Sequence, residues 1–143
     1  MNRINLITLG VRDMNTSIRF YRDGLGFQTS VTEENPSIVF FNNAGTKLSL
    51  YPLEGLVQDL NGKEPPEVKG FSGVTFAYNA KSREEVDEIM EKAEKAGGVI
   101  EKSPQRVFWG GYSGYFSDPD GHYWEVAYSE DWSFDENDML IIE

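Results

Sequence analysis

Glu125 stands four residues beyond the run Asp118-Pro119-Asp120-Gly121, and His122, the only histidine in the chain, stands at the exit of that run. A carboxylate or an imidazole can hold a divalent cation or take a proton, so chemistry in this stretch would run through these two side chains. Pro119 presets the backbone of a turn and Gly121 supplies freedom at its exit, which predicts a β-hairpin with one strand ending at Phe116 and the next running from His122 to Tyr128. Alternation along the second strand puts Trp124, Val126 and Tyr128 on one face and Tyr123, Glu125 and Ala127 on the other. His122 falls on the Trp124 face, away from Glu125, and reads as a turn residue, not as a ligand or base. Glu125 on its own also fits a solvated strand position, so the elements around it decide its role.

Those elements can be read in order. Ile4 to Val11 alternates as a half-buried strand. Asp13 offers an N-cap, and Met14, Ile18, Tyr21 and Leu25 follow at helical spacing until Gly24 and Gly26, predicting a helix from about Met14 to about Asp23. Strands are expected over Phe27 to Glu33, Ser37 to Phe41 and Thr46 to Tyr51, the last two joined by a turn at Asn42 to Gly45. Residues 53–70 hold Gly55, Gly62, Pro65, Pro66 and Gly70 without a sustained period and read as a linker. Phe71 to Tyr78 then alternates. Ser82 with Glu85 forms a capping box ahead of the stripe Val86, Ile89, Met90, Ala93 and Ala96, which stops at Gly97-Gly98. Three strand-like runs finish the series: Val99 to Val107, Tyr112 to Phe116, and His122 to Tyr128.

The second half therefore repeats the order of the first. Ile7-Thr8-Leu9 aligns with Val74-Thr75-Phe76, and residues 45–50 align with residues 121–126. The fold class expected is α+β, with tandem βαβββ modules at about 4–52 and 71–128 forming one domain over 1–128. Curled mixed sheets would surround a cleft with the helices on the outer face, and 129–143 would form a C-terminal tail. The helix-facing set is Ile7, Leu9, Val11, Leu48, Leu50, Val74, Phe76, Tyr78, Trp124, Val126 and Tyr128, which would be the core. The opposite set, which includes Leu6, Thr8, Lys47, Ser49, Tyr51, Gly73, Thr75, Tyr123 and Glu125, is small, polar or aromatic-hydroxyl and suits either a ligand cleft or an open sheet face.

Composition narrows the classes of function. The 143 residues carry a net charge of -11, which argues against nucleic acid or an anionic membrane as partner. There is no cysteine, so thiolate metal sites, cysteine nucleophiles and disulfides are excluded. No signal-like N-terminus and no apolar run long enough to span a bilayer is present, and a cytoplasmic location is the expectation. Phe108-Trp109-Gly110-Gly111-Tyr112 with Tyr115 offers aromatic rings beside flexible glycines, suited to stacking on a small molecule or to packing. Gly110-Gly111 lacks the strand-to-helix setting of a phosphate loop. The tail combines Trp132, Phe134 and Met139 to Ile142 with six acidic residues, which fits a docked arm or a frayed end.

The residues Val11-Arg12-Asp13-Met14, Ser17, Phe20-Tyr21, Gly24-Leu25-Gly26-Phe27, Asp118-Pro119-Asp120-Gly121 and Glu125 together resemble the vicinal oxygen chelate superfamily, which contains glyoxalase I, extradiol dioxygenases and the fosfomycin and bleomycin resistance proteins. The resemblance spans about residues 4–128. It implies paired βαβββ units around a shared cleft, often completed by a second subunit, so a homodimer is expected. It also implies a divalent metal held by one side chain from each of four strands, at positions that fall on Leu6, Ser49, Gly73 and Glu125. Only Glu125 of these is a usual metal donor, and three or more protein ligands are the norm, so neither a metal nor any other cofactor is expected.

The reading is then a metal-free protein of the bleomycin-resistance type that binds a small organic molecule. Tyr51, Trp109, Tyr112 and Tyr123 would supply contact area, and Ser49, Thr75 and Glu125 would orient the ligand, with a cationic or hydrogen-bond-donating group favoured. The alternative is a glyoxalase-like lyase, a dioxygenase or an isomerase in which Glu125 is the one candidate catalytic residue. A third possibility is a dimerisation scaffold with no ligand. The identity of the ligand is not written in these residues.

Overall fold

A computed structural model of the chain describes residues 1–61 and 70–142. It consists of two compact units, Met1–Gly73 and Val74–Glu143. The first runs β1 (Leu6–Val11), α1 (Met14–Ile18), β2 (Val39–Phe40), β3 (Lys47–Pro52) and α2 (Leu53–Asn61); the second runs β4 (Thr75–Asn79), α3 (Arg83–Lys95), β5 (Val99–Arg106), β6 (Tyr112–Ser117) and β7 (Tyr123–Tyr128). Both sheets are mixed. In the first, of order β1-β3-β2, β3 pairs parallel with β1 and antiparallel with β2; in the second, of order β4-β7-β6-β5, β4 pairs parallel with β7 and the rest are antiparallel. This is the expected α+β class with its internal repeat. Among the described residues no helix is long and apolar enough to cross a membrane.

The caps act where their residue types predict. Asp13 accepts from the Thr16 N–H at 2.7 Å at the start of α1, which continues as a wider π-helical turn over Arg19–Gly24. Ser82 Oγ accepts from the Glu85 N–H at 3.1 Å, while the Glu85 carboxylate reaches the N–H of Lys81, one residue before the cap, at 2.6 Å. At the far end of α3 the Gly98 N–H closes onto the Ala93 carbonyl, with Gly97 at a φ of 103° that favours glycine.

The core of the first unit is aromatic. Tyr21 is buried with its ring 5.6 Å from Phe27 and 5.9 Å from Phe41, beside Val11, Val39 and Leu50. In the second unit Trp124 stacks on Phe116, with ring centroids 6.1 Å apart, and meets Phe76 at 5.0 Å; Val86, Met90 and Ala93 of α3 are buried with them. Trp124 and Val126 are thus core residues, as alternation requires.

Three expectations change and a fourth, for the tail, narrows to one of its two alternatives. Phe27 to Glu33 is not a ladder strand, so the described residues of the first unit show three strands; of that stretch, Gln28 accepts from the Asn42 N–H at 2.7 Å, while Thr29 Oγ1 takes the Val31 N–H and competes locally for backbone partners. The linker expected over 53–70 opens as α2, and its residues 62–69 lie outside the described part. Val74 and Tyr78 are not core: they are 54% and 44% exposed, because β4 is an edge strand and Val74 precedes it. The tail is not frayed over its described residues. Trp132 stacks on Trp109, Phe134 bridges to Leu140, and Lys81 reaches Asp138 and lies over the Phe134 ring, so the arm docks within its own unit.

Candidate functional site

On β1 and β3 the side chains opposite the core come in facing pairs: Leu6 with Lys47, Thr8 with Ser49, and Gly10 with Tyr51. The middle pair is closed. Thr8 Oγ1 and Ser49 Oγ are 2.7 Å apart, and Ser49 is fully buried, so this hydroxyl is already satisfied. The pair Gly10 and Tyr51 is covered by α2. A Cβ on Gly10 would come within 2.8 Å of Leu53 Cδ1, and one on Gly55 within 2.9 Å of the Tyr51 ring, so both glycines permit a close approach of helix to strand. At the other end the face is open. Antiparallel pairing sets Phe40 of β2 opposite Ser49, which brings Phe40 to the same face as Leu6 and Lys47. There a groove of about 710 Å³ is lined by these three with Asn5, Asn42 and Gln28 to Ser30, among others. Alternation had placed Ser49 and Tyr51 in a cleft; what it missed is that α2 covers one end and that Phe40 and Lys47 wall the other. The signal was available in the hairpin, because centring it on Ala44-Gly45 pairs Phe40 with Ser49.

The second unit has its own polar face. β7 places Glu125 and Tyr123 together, with Thr75 of β4 opposite Tyr123 and Ala77 opposite Glu125. On the other side of β7, Tyr115 of β6 stands across from Glu125. Burial first, then the charge of Glu125 and hydrogen bonding toward it, push the Tyr115 phenol above its ordinary value. Ser117 Oγ of β6, on the same face, donates to Glu101 Oε1 at 2.8 Å. Glu125, Tyr123 and Thr75 are therefore brought together as expected, and Tyr115 joins them.

Two expected ligand residues go elsewhere. Tyr112 lies on the opposite face of β6, where its hydroxyl bonds Asp87 of α3 at 2.7 Å and Arg83 sits over its ring. Trp109 is stacked on Trp132 of the tail at 5.7 Å, and Phe108 beside it is exposed. Strand parity alone separates Tyr112 from Tyr115; the glycines between Trp109 and Tyr112 obscured that parity in the sequence.

His122 holds the hairpin turn. Its Nδ1 is 2.7 Å from Asp118 Oδ2, and the other carboxylate oxygen accepts the N–H groups of Asp120 and His122 at 2.9 and 2.8 Å. The Asp118 side chain is fully buried. The imidazole thus serves the turn.

The divalent metal implied by the fold family can be tested against these donors. Leu6 offers no donor atom and Ser49 is spent on Thr8. If Ser49 and Glu125 are equivalent, the two parallel ladders make Thr75 the counterpart of Leu6, two residues on from the Gly73 inferred by sequence; neither carries a carboxylate or imidazole. Among the described residues no group of three or more His, Asp or Glu side chains could hold an ion. The residues do not fit the metal.

The family model "Glyoxalase/Bleomycin resistance protein/Dioxygenase superfamily" matches residues 3–126. An uncharacterized protein of Bacillus subtilis, YraH, is 30% identical over 121 residues, covering 84% of this chain and 93% of its own. A virulence protein of Salmonella typhimurium, STM3117, is 28% identical over 130 residues, covering 89% and 84%. The crystal structure of a glyoxalase-related enzyme from Fulvimarina pelagi superposes with a TM-score of 0.86 at 29% identity, covering 99% of each chain.

Proposed function

The chain belongs to the glyoxalase/bleomycin resistance/dioxygenase superfamily, and from that membership we propose that it binds a small organic molecule without a resident metal. The observation that carries the reading is the fate of the metal-bearing face in the first unit. Where the family would place two ligands, this chain has an apolar Leu6 beside an open groove and a Ser49 locked to Thr8. A groove of about 710 Å³ whose walls are apolar and neutral polar apart from Lys47 is of a size that holds a small ligand. In the second unit Glu125, flanked by Tyr115 and Tyr123, supplies an acceptor for a hydrogen-bond donor or cation. A homodimer in the cytoplasm completes the proposal.

The test joins elemental analysis to a ligand screen. Protein purified without a metal-binding tag is expected to carry Zn, Ni, Mn and Fe well below one per chain, and added metal or chelator is expected to leave Tm unchanged. Members of a small-molecule library that bind the folded state should raise Tm. One tightly held metal per chain overturns the reading.

Similarity to the glyoxalase-related enzyme favours a second reading, in which Glu125 acts as a general base. A turnover found in a substrate panel and lost in Glu125→Gln, with binding retained, would establish it in place of the first.

A further inference from the structure

We infer that the groove of the first unit selects a singly charged carboxylate joined to an apolar body. The inference rests on the small-molecule reading above and specifies which chemistry the groove takes. Lys47 is the only charged residue lining it among the described residues, in a chain whose net charge is -11. Its ammonium has three donors, and one goes to the backbone carbonyl of Asn43, which leaves two for a ligand and fixes the head group in place. Lys47 is half-buried, so an anion beside it would be less screened than at an open surface.

The apolar part of the site is adjacent by register. Leu6 is the ladder partner of Lys47, and Phe40 pairs with Ser49 two residues along β3, so both lie on the face that carries the ammonium. They are 42% and 53% exposed within a concavity. Single exposed apolar side chains are ordinary, but two of them flanking a lone cation in a groove form an amphiphile's outline. Asn42 and Gln28 add neutral polar groups to the wall. Among the described residues no arginine lines the groove and no glycine-rich turn into a helix borders it, so a doubly charged phosphate would find no second positive partner there.

Three probes of one shape separate the possibilities: 2-naphthoate, the neutral 2-naphthamide and the cationic 2-naphthylmethylammonium, titrated into the full-length protein by calorimetry and by amide NMR. Naphthoate is expected to bind at least about tenfold more tightly than naphthamide, the scale of one charge-assisted hydrogen bond, with shifts centred on Leu6, Phe40 and Lys47. Lys47→Gln should erase the difference. Phe40→Ala should weaken naphthoate and naphthamide together. The wild-type comparison decides the matter even if a variant fails to fold. Equal affinity for acid and amide, shifts centred elsewhere, or no binding of naphthoate each overturns the assignment. Binding of the ammonium probe alone, lost in Glu125→Gln and kept in Lys47→Gln, also overturns it while leaving the small-molecule reading in place. A library in which nothing shifts Tm removes both.

Discussion

Tyr115 stands directly across the β6–β7 ladder from Glu125, and burial together with that carboxylate's charge raises its phenol. The backbone register holds the phenol and the carboxylate as cross-strand neighbours. It also gives the second unit a titratable reporter on the proposed binding face.

That reporter yields the first prediction. Burial, the Glu125 charge and hydrogen bonding toward it all raise the Tyr115 phenol. Glu125→Gln removes the charge and leaves the burial, so the Tyr115 midpoint, followed by NMR of the ring carbon bearing oxygen, should fall part of the way toward the ordinary tyrosine value. A midpoint unmoved by the substitution would mean that burial alone sets it. The same titration with a bound cationic ligand should shift it in the direction of the Gln variant, since the ligand neutralises the carboxylate.

A second prediction concerns alkaline stability. Tyr78 donates its hydroxyl to Glu85 of α3 at 2.7 Å, and burial, this hydrogen bond and the nearby carboxylates of Glu85 and Asp138 push its phenol from 10.0 up to about 12. The folded state therefore holds the proton more tightly than the unfolded chain does. The contribution to stability is whole below pH 10.0 and is lost as pH rises through about 12. Denaturant melts between these limits should show wild-type stability falling with pH, and Tyr78→Phe should flatten the decline. It should not abolish it, because Tyr112 and Tyr115 are raised as well. If the Phe variant declines as steeply as wild type, the Tyr78 contact with α3 does not hold in solution.

The residues that sequence reasoning placed well are those whose position is set by local periodicity. Asp13 and Ser82 cap their helices, Trp124 and Val126 fill the core, and Glu125 shares a face with Tyr123. Each follows from a period of 3.6 or 2 and the side chain's own chemistry. The misplaced ones depend on what packs from elsewhere. Tyr51 alternates correctly onto the open face, yet α2 covers it, and that helix grew from a stretch whose Gly55 looked like a linker signal. Gly55 is there because the Tyr51 ring leaves no room for a side chain. Tyr112 was assigned to the ligand by composition, although its hydroxyl belongs to Asp87; parity counted back from Phe116 would have put it on the helix side. Val74 and Tyr78 have the right parity for the core and lack cover because β4 is an edge, a fact of strand order that no window of sequence contains.

The third prediction tests whether the only histidine serves the turn or the chemistry. Asp118 is buried and accepts from two backbone N–H groups and from the His122 ring, while its own N–H reaches the His122 carbonyl at 2.9 Å. Removing the carboxylate takes that acceptor from those donors, at about 1 to 3 kcal/mol for each one left buried and unsatisfied. Asp118→Ala should therefore cost on the order of 3 kcal/mol, while Asp118→Asn, which keeps one oxygen acceptor, should cost less. His122→Ala deletes the ring contact with Asp118 and keeps the backbone pair, so it should cost about 1 kcal/mol and leave ligand affinity unchanged. Equilibrium denaturation of the three variants orders them. If His122→Ala proves as damaging as Asp118→Ala, the ring and not the backbone cradle holds the hairpin. If it removes ligand binding with stability intact, the imidazole belongs to the site, and the turn assignment fails.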